Sequence, residues 1–496
     1  MIISMARAIE KKMSKAETYQ QWKEAAIEYD ERNGLQKWKD FEATSRYDHA
    51  SIRSRLEKLR SFRKANDNHG LLYTLNEGIH GNMGGMGRAK LYQKARFGTK
   101  TLVSNYVDEV TSSLEHLSQP RLKGVNLKEQ IDFFERASLC FGRSALMMSG
   151  SGTFLFFHVG VLKALWEQDL IPEVISGSSG GAFIAGVVGT RTNKDIHELF
   201  DPEYIALESQ LRTIFSNYFS NEKAVSNAKE LQRIVEQLIP DLTFEEAYGL
   251  SGIQINISIA PAEKHQKSRL LNSVTSPNVM VREAVMASCS IPGVFAPVTL
   301  AAKNVDGVKV PYLPSRKWVD GSLSDDLPMK RLSRLYGVNH FIVSQTNPIV
   351  RPFISAEKKD DGLISTISET GFKTIKDWGL AASHLMQRPL DADSYFSKLI
   401  NGYISMVSQT YTGDINILPT TRFLNPAKAL AVRSNEEIQE LIMEGEKSTW
   451  PNIERIRIQT QISRSLWRIV NELEARMIRS STRAAKKQNL KVVGKK

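Results

Sequence analysis

Two cysteines, Cys140 and Cys289, are all the thiol in a chain of 496 residues. Two cannot build a disulfide framework or a four-ligand zinc site, which suits a reducing compartment. Both stand among apolar or small residues and read as core positions. Long apolar runs are missing as well. No stretch of about 18 apolar residues occurs, so no membrane span is expected. The start, Met1-Ile2-Ile3-Ser4-Met5, turns at once to Arg7, Glu10, Lys11 and Lys12. That leaves no apolar core for a secretory signal, and the expected location is cytoplasmic. Internal repeats are absent, and low complexity is confined to a basic end.

The chain is 41% hydrophobic and 24% charged, an ordinary balance for a folded protein with room for about two or three domains. Its net charge of +12 is unevenly placed. Residues 451–496 hold twelve Lys and Arg against Glu454, Glu472 and Glu474, so the rest is near neutral. In this tail Ile462, Leu466, Ile469, Leu473 and Met477 recur at helical spacing, with arginines on the other face. The pattern predicts an amphipathic helix that contacts a membrane or lipid-droplet surface peripherally. The same stripe would also serve to dock the helix on the protein body. Nucleic acid is not an expected partner, because neither a recognition motif nor interleaved aromatics accompany the charge.

Residues 1–69 read as helical, with Trp22, Ala26, Tyr29, Trp38 and Phe41 at helical spacing and a break at Asn66-Asp67-Asn68-His69-Gly70. A glycine-rich connector follows at 78–87, then predicted helices over Lys90–Leu117 and Leu127–Ala137. Strand and helix alternate from Ser144. Ala145–Met148 reads as a strand, Gly150–Thr153 as a turn and Phe156–Gln168 as an amphipathic helix. Val174-Ile175 is the next strand, and Ala182–Val188 is helix-compatible. Later strands are predicted at Ile253–Ile259, where apolar and polar residues alternate, at Trp318-Val319 and at Phe341–Val343, with a helix over Asn435–Gly445. This is an α/β pattern, a mostly parallel sheet flanked by helices. The expected division is a helical region 1–140, an α/β domain 141–350, a mainly helical extension 351–450 and the basic tail 451–496.

Gly177-Ser178-Ser179-Gly180-Gly181 lies where a strand passes into a helix. A G-x-S-x-G pentapeptide in that context has the form of a nucleophile elbow, with Ser179 as the reactive serine. Gly177 and Gly181 leave room for its strained turn, and the following helix points its positive end at the site. Alone the pentapeptide is weak, since Gly/Ser turns are common. Gly150-Ser151-Gly152 also follows a strand and opens a helix, so its N–H groups can converge as an oxyanion hole. As a dinucleotide fingerprint it fails, because position 155 is leucine. No metal or cofactor is expected.

A base for Ser179 could be a histidine or an acid. His197, His265, His340 and His384 follow Ser179, yet none lies in a late Gly/Pro/Ser loop, and His340 reads as structural. Trp318-Val319-Asp320-Gly321-Ser322 instead ends a short strand on an acid. Burial beside Trp318 and Val319 would raise Asp320 above its ordinary value of about 3.9 and make it a better base. Asp-Gly in isolation is most often a turn.

Together, Gly150-Ser151-Gly152-Thr153, the Ser179 pentapeptide and Asp320-Gly321-Ser322 resemble patatin-like phospholipases and triacylglycerol lipases. The likeness continues through Ala287–Phe295, Asp326-Leu327-Pro328 and Val338–Pro348, and covers about residues 70–350. Lys90-Leu91-Tyr92 through Phe97-Gly98-Thr99-Lys100 resembles the N-terminal helical domain of unknown function in the triacylglycerol-lipase branch. The resemblance implies a three-layer patatin-like fold and hydrolysis of lipid acyl esters by a Ser–Asp dyad. It makes Ser179 the nucleophile, Asp320 the base and Gly150, Ser151 and Gly152 the oxyanion loop. Where Ser151 stands the family usually has glycine, and its Cβ would crowd the loop. Two other readings stay open: a patatin-fold lipid-binding or scaffold protein without catalysis, and an α/β-hydrolase esterase with a histidine base.

Overall fold

The structure, a computed structural model, describes residues 2–79, 82–200, 224–263, 266–291, 295–347, 412–420 and 434–493. The chain forms two units, residues 144–450 and a second made of 1–143 with 451–496.

In the unit 144–450 the strands are β1 (Arg143–Met148), β2 (Val174–Gly177), β3 (Gln254–Pro261), β4 (Arg269–Leu271), β5 (Leu300–Lys303), β6 (Lys309–Tyr312), β7 (Trp318–Asp320), β8 (Val338–Ser344) and β9 (Ile415–Ile417). The main sheet runs β4-β3-β2-β1-β8-β9, with β7 also paired to β3, while β5 and β6 form a separate hairpin. Pairs β1–β2, β2–β3 and β8–β9 are parallel, and β4 and β7 run antiparallel to β3. Parallel strands need both faces covered, so they read as continuously buried segments. All of β2 is buried accordingly. In β3 the polar alternates do not face water: Asn256 and Ser258 are fully buried. Asn256 Nδ2 donates to the carbonyls of Ile175 (3.3 Å) and Gln254 (2.9 Å), and its Oδ1 accepts from the Tyr336 hydroxyl at 3.1 Å.

The helix after the Gly150 turn spans Leu155–Trp166 and is buried on nearly all sides, not on one face. Its outer side is covered by the helix Asn435–Thr449, which starts at a capping box of Ser434 with Glu437. The two backbones meet closely: a Cβ on Gly160 would lie 1.9 Å from the Ile442 carbonyl oxygen. Lys163 and Glu446 pair across the contact at 2.9 Å. The stretch 351–450 is therefore no separate extension where it is described. It supplies β9 to the main sheet and a covering helix to the same unit. Its residues 351–411 and 421–433, with Asp360–Asp393 among them, lie outside the described residues.

Among its described residues the second unit is built of helices joined by loops, as the N-terminal pattern predicts. Asn66 takes a left-handed conformation (φ 52°), and Asp67 then caps Asn68–Asn76, so the Asn66–Gly70 break is a corner between two helices. The helix predicted from Lys90 begins only at Thr101, after Gly98 at φ 73°. Cys140 is exposed and not in the core.

The basic segment forms one helix, Ile453–Val493. Its stripe of Ile458, Ile462, Leu466, Ile469 and Leu473 joins the apolar cluster of Leu56, Leu59, Val103, Val107 and Phe134. Several of its arginines are engaged: Arg457 pairs with Glu454 at 3.0 Å, and Arg476 donates to the Ser118 carbonyl at 2.7 Å. The stripe read as a membrane contact thus docks on protein, as far as Leu473. An amphipathic helix buries the same face in either setting, which is why periodicity alone does not separate them. Among the described residues no helix is long and apolar enough to cross a membrane.

Leu466 is fully buried and Met477 half exposed. Leu466→Ala should destabilise the helical unit by about 2–5 kcal/mol, while Met477→Ala should stay within about 0.5 kcal/mol. Hydrogen exchange of the helix Thr101–Leu117 with thermal melts reads both, and equal effects would show that the stripe is not docked.

Candidate active site

β2 ends at Gly177, and two residues later the backbone of Ser179 stands at φ 51°, ψ −121°, directly before the helix Gly180–Gly189. A residue with a Cβ pays about 1–3 kcal/mol for such a conformation, so the surroundings must hold it. They do so from several sides. The Ser179 N–H donates to Ser288 Oγ at 2.9 Å, and the Ser288 hydroxyl donates to the Ser258 carbonyl at 2.8 Å. The Ser178 N–H reaches the Met148 carbonyl at 3.2 Å, tying the turn to the end of β1. Close approach explains both flanking glycines: a Cβ on Gly177 would sit 2.3 Å from the Gly181 carbonyl oxygen, and one on Gly181 2.3 Å from that of Met148.

Asp320 ends β7 opposite Ile259 of β3, and its own N–H donates to the Ser290 carbonyl at 2.9 Å. A Cβ on Gly321 would meet the Ser258 carbonyl carbon at 2.6 Å, so only glycine lets the chain pass β3 here. The Asp320 carboxylate accepts the Ser322 N–H at 2.8 Å and hydrogen bonds from the Ser322 and Ser179 side chains. Burial pushes its pKa up to about 6, and those hydrogen bonds hold it from going higher. Two residues far apart in sequence, Ser179 and Asp320, are thus in contact.

The turn after β1 lies against this pair. Gly150 gives its N–H to Asp326 Oδ1 at 2.7 Å. Of the three residues expected to form an oxyanion hole, Gly150 therefore has its N–H committed to another acceptor. Gly152 takes φ 53°, and the chain continues through a 3₁₀ turn into the helix Leu155–Trp166. Ser151 is accommodated because Gly180 has no side chain: a Cβ there would lie 2.1 Å from Ser151 Oγ. Loop and elbow interlock at that point.

Residues 146–332 match the family model described as patatin-like phospholipase, and residues 3–139 match the domain of unknown function DUF3336. Triacylglycerol lipase ptl3 of Schizosaccharomyces pombe is 32% identical over 90% of this chain and 93% of its own length. The chain belongs to the patatin-like phospholipase family. A patatin-like phospholipase domain-containing protein of Pyricularia oryzae is 31% identical over 92% of this chain, which spans 62% of that protein's length. Triacylglycerol lipase 4 of Saccharomyces cerevisiae is 31% identical over 94% of this chain and 53% of its own.

Around this patatin site the histidines divide clearly. His340 Nδ1 lies 2.9 Å from Ser144 Oγ, at the end of β1 away from the Gly150 turn, and His197 is exposed. His265 and His384 lie outside the described residues. A histidine that sequence reasoning passed over is closer to the site. His158 is fully buried, with Nδ1 2.7 Å from Ser344 Oγ and Nε2 3.1 Å from the Ser149 carbonyl and 3.2 Å from Thr346 Oγ1. Burial lowers its pKa to about 4, so it stays neutral and props the residue before Gly150. The signal was a lone polar residue inside the apolar run Leu155–Leu162. Cys289, read as a core residue, donates its thiol to the Ser179 carbonyl at 3.4 Å. Burial and the charge of Asp320 push that thiol up, so it remains protonated.

The interlock makes a specific prediction. Gly180→Ala should lower the melting temperature, and Ser151→Gly in the same chain should restore part of the loss. The coupling should fall in the range of about 0.5–3 kcal/mol expected for residues in contact. Additive effects in a double-mutant cycle would show that the two positions do not touch.

Proposed function

We propose that this patatin-family chain hydrolyses carboxylic esters of lipids such as triacylglycerol or phospholipid, with Ser179 as nucleophile and Asp320 as general base. The observation that carries this is the hydrogen bond of the Ser179 side chain to a buried carboxylate whose pKa is raised to about 6. A serine hydroxyl is a weak nucleophile unless an adjacent group takes its proton. Asp320 accepts that proton as Ser179 Oγ bonds to the ester carbonyl carbon. The oxygen becomes an oxyanion, held by the N–H groups of Ser151 and Gly152 and by the positive end of the helix Gly180–Gly189. The C–O bond to the alcohol then breaks, and the alcohol leaves with the proton from Asp320. Water attacks the acyl-enzyme, gives its proton to Asp320, and the fatty acid departs as Ser179 is reprotonated. The lipid class follows from the names of the relatives, two triacylglycerol lipases and a phospholipase-domain protein.

The reading without catalysis is disfavoured by the contact between Ser179 and Asp320. Among the described residues a histidine base is disfavoured, since His158 and His340 are each engaged with serines other than Ser179. An insoluble substrate implies work at a lipid surface. On the basic helix any such contact falls beyond Leu473, where Met477 and Ile478 are exposed.

Ser179→Ala and Asp320→Asn should each lower fatty-acid release by roughly 10³-fold or more, with circular dichroism unchanged. Ser179→Ala should also abolish labelling by a fluorophosphonate probe. Wild-type release by Ser179→Ala would refute the assignment. The base must be charged to act, so kcat/KM should rise with pH through about 6 and level off above it. A rate that falls as pH climbs from 5 to about 7 would exclude Asp320 as the base.

A further inference from the structure

Asp326 is a second carboxylate buried beside the site, 1% exposed, and the mechanism above gives it no proton to carry. Its contacts gather three separate parts of the chain. Oδ1 accepts the Gly150 N–H at 2.7 Å, from the turn after β1. Its backbone carbonyl accepts the Ser178 hydroxyl at 3.0 Å, from the elbow after β2. The Asn347 side chain, just past β8, hydrogen-bonds its carboxylate. The residue before Gly150 is itself pinned: the Ser149 N–H donates to the Ser344 carbonyl at 3.1 Å, and Ser149 Oγ accepts the Thr346 N–H at 2.9 Å. Ser149 is thus fixed by β8 and Gly150 by Asp326, and the peptide groups that follow are aimed from there.

We propose that Asp326 is a positioning residue for ester hydrolysis, holding the Gly150 N–H so that the next two, of Ser151 and Gly152, face the oxyanion. The proposal rests on the hydrolase reading of Ser179 and Asp320. A buried carboxylate is unfavourable unless its oxygens are hydrogen-bonded, and a buried N–H is unfavourable without an acceptor, so each secures the other. Burial, together with the charges of Asp320 and Asp325, pushes Asp326 up to about 7, against the pull of Gly150 and Asn347. Asp325 is in turn paired with Arg331 at 3.3 Å. Holding Gly150 requires only an acceptor oxygen at that point. A carboxylate, a neutral carboxyl and an asparagine amide all offer one; alanine does not.

The test compares the full-length chain with Asp326→Asn, Asp326→Ala and Ser179→Ala on the soluble ester p-nitrophenyl butyrate, with thermal melts to establish folding. Asp326→Ala should lose about 10²-fold in kcat, the effect typical of a lost oxyanion donor, with KM within about threefold. Asp326→Asn should keep kcat within about tenfold of wild type, since its amide oxygen serves the same N–H. If Asp326→Ala does not fold, Asp326→Ser takes its place, its shorter oxygen falling short of Gly150, and must show the same loss in kcat. Wild-type kcat in the Ala or Ser variant, an equal loss in Asp326→Asn, or a change confined to KM would each overturn the proposal. When Ser179→Ala is inactive, any of these removes the positioning role alone. Ser179→Ala active at the wild-type rate would remove the site reading and this proposal with it.

Discussion

Holding a serine at φ 51° and ψ −121° is unfavourable, and most of what surrounds Ser179 is arranged to make that conformation the only one available. Ser288 takes its N–H, Met148 takes the N–H of Ser178, and the glycines at 177 and 181 let three backbones close to within atomic contact. The same strain turns the hydroxyl out of the sheet edge toward Asp320. Without it the side chain would continue the pleat of β2, into a face covered by helices. The positions of β1 and β3 follow from the same demand. β1 delivers the Gly150 turn beside the elbow, and β3 carries both the Ser258 carbonyl that orients Ser288 and the ladder that holds Asp320.

Electrostatics in the site follow from dryness. Asp320 and Asp326 are both nearly inaccessible, and for each the largest influence on its acidity is lost hydration. Hydrogen bonds from Ser179 and Ser322 on one, and from Gly150 and Asn347 on the other, offset only part of it. Two buried acids so close to each other favour protonation of at least one near neutral pH. In the proposed mechanism one carboxyl acts as the base while the other serves as scaffold.

The candidate residues at the end of β2 and the end of β7 were picked out in the sequence because their signals are local. A small-residue turn between strand and helix and an acid at a strand end before glycine are written in a few consecutive residues. What was not legible depends on contacts between distant segments. The helix Asn435–Thr449 was readable as a helix, but only its glycine contact with Gly160 shows that it belongs to the sheet-bearing unit. The stripe Ile462, Leu466, Ile469, Leu473 and Met477 was legible as one face, but its neighbour was not: of the two settings left open, the residues as far as Leu473 take the protein one. Asp326 was visible only as part of a resemblance, since nothing local tells that its carboxyl reaches an N–H 176 positions earlier. His158 was not legible because its partners, Ser344 and Thr346, lie 186 and 188 positions away in the chain. Cys140 shows the limit of composition: apolar neighbours in sequence did not place it inside.

The docking of Ile453–Val493 also has a consequence for how the chain is made. Leu56, Leu59, Val103, Val107 and Phe134 share one apolar cluster with residues 458–473. A ribosome delivers the first group long before the second, with the whole of 144–450 in between. Until then the early helices carry an uncovered apolar face and cannot complete their core. Segments in that state are prone to aggregate. The N-terminal part is thus born unfinished, and its closure must wait for the helix Ile453–Val493 to leave the exit tunnel.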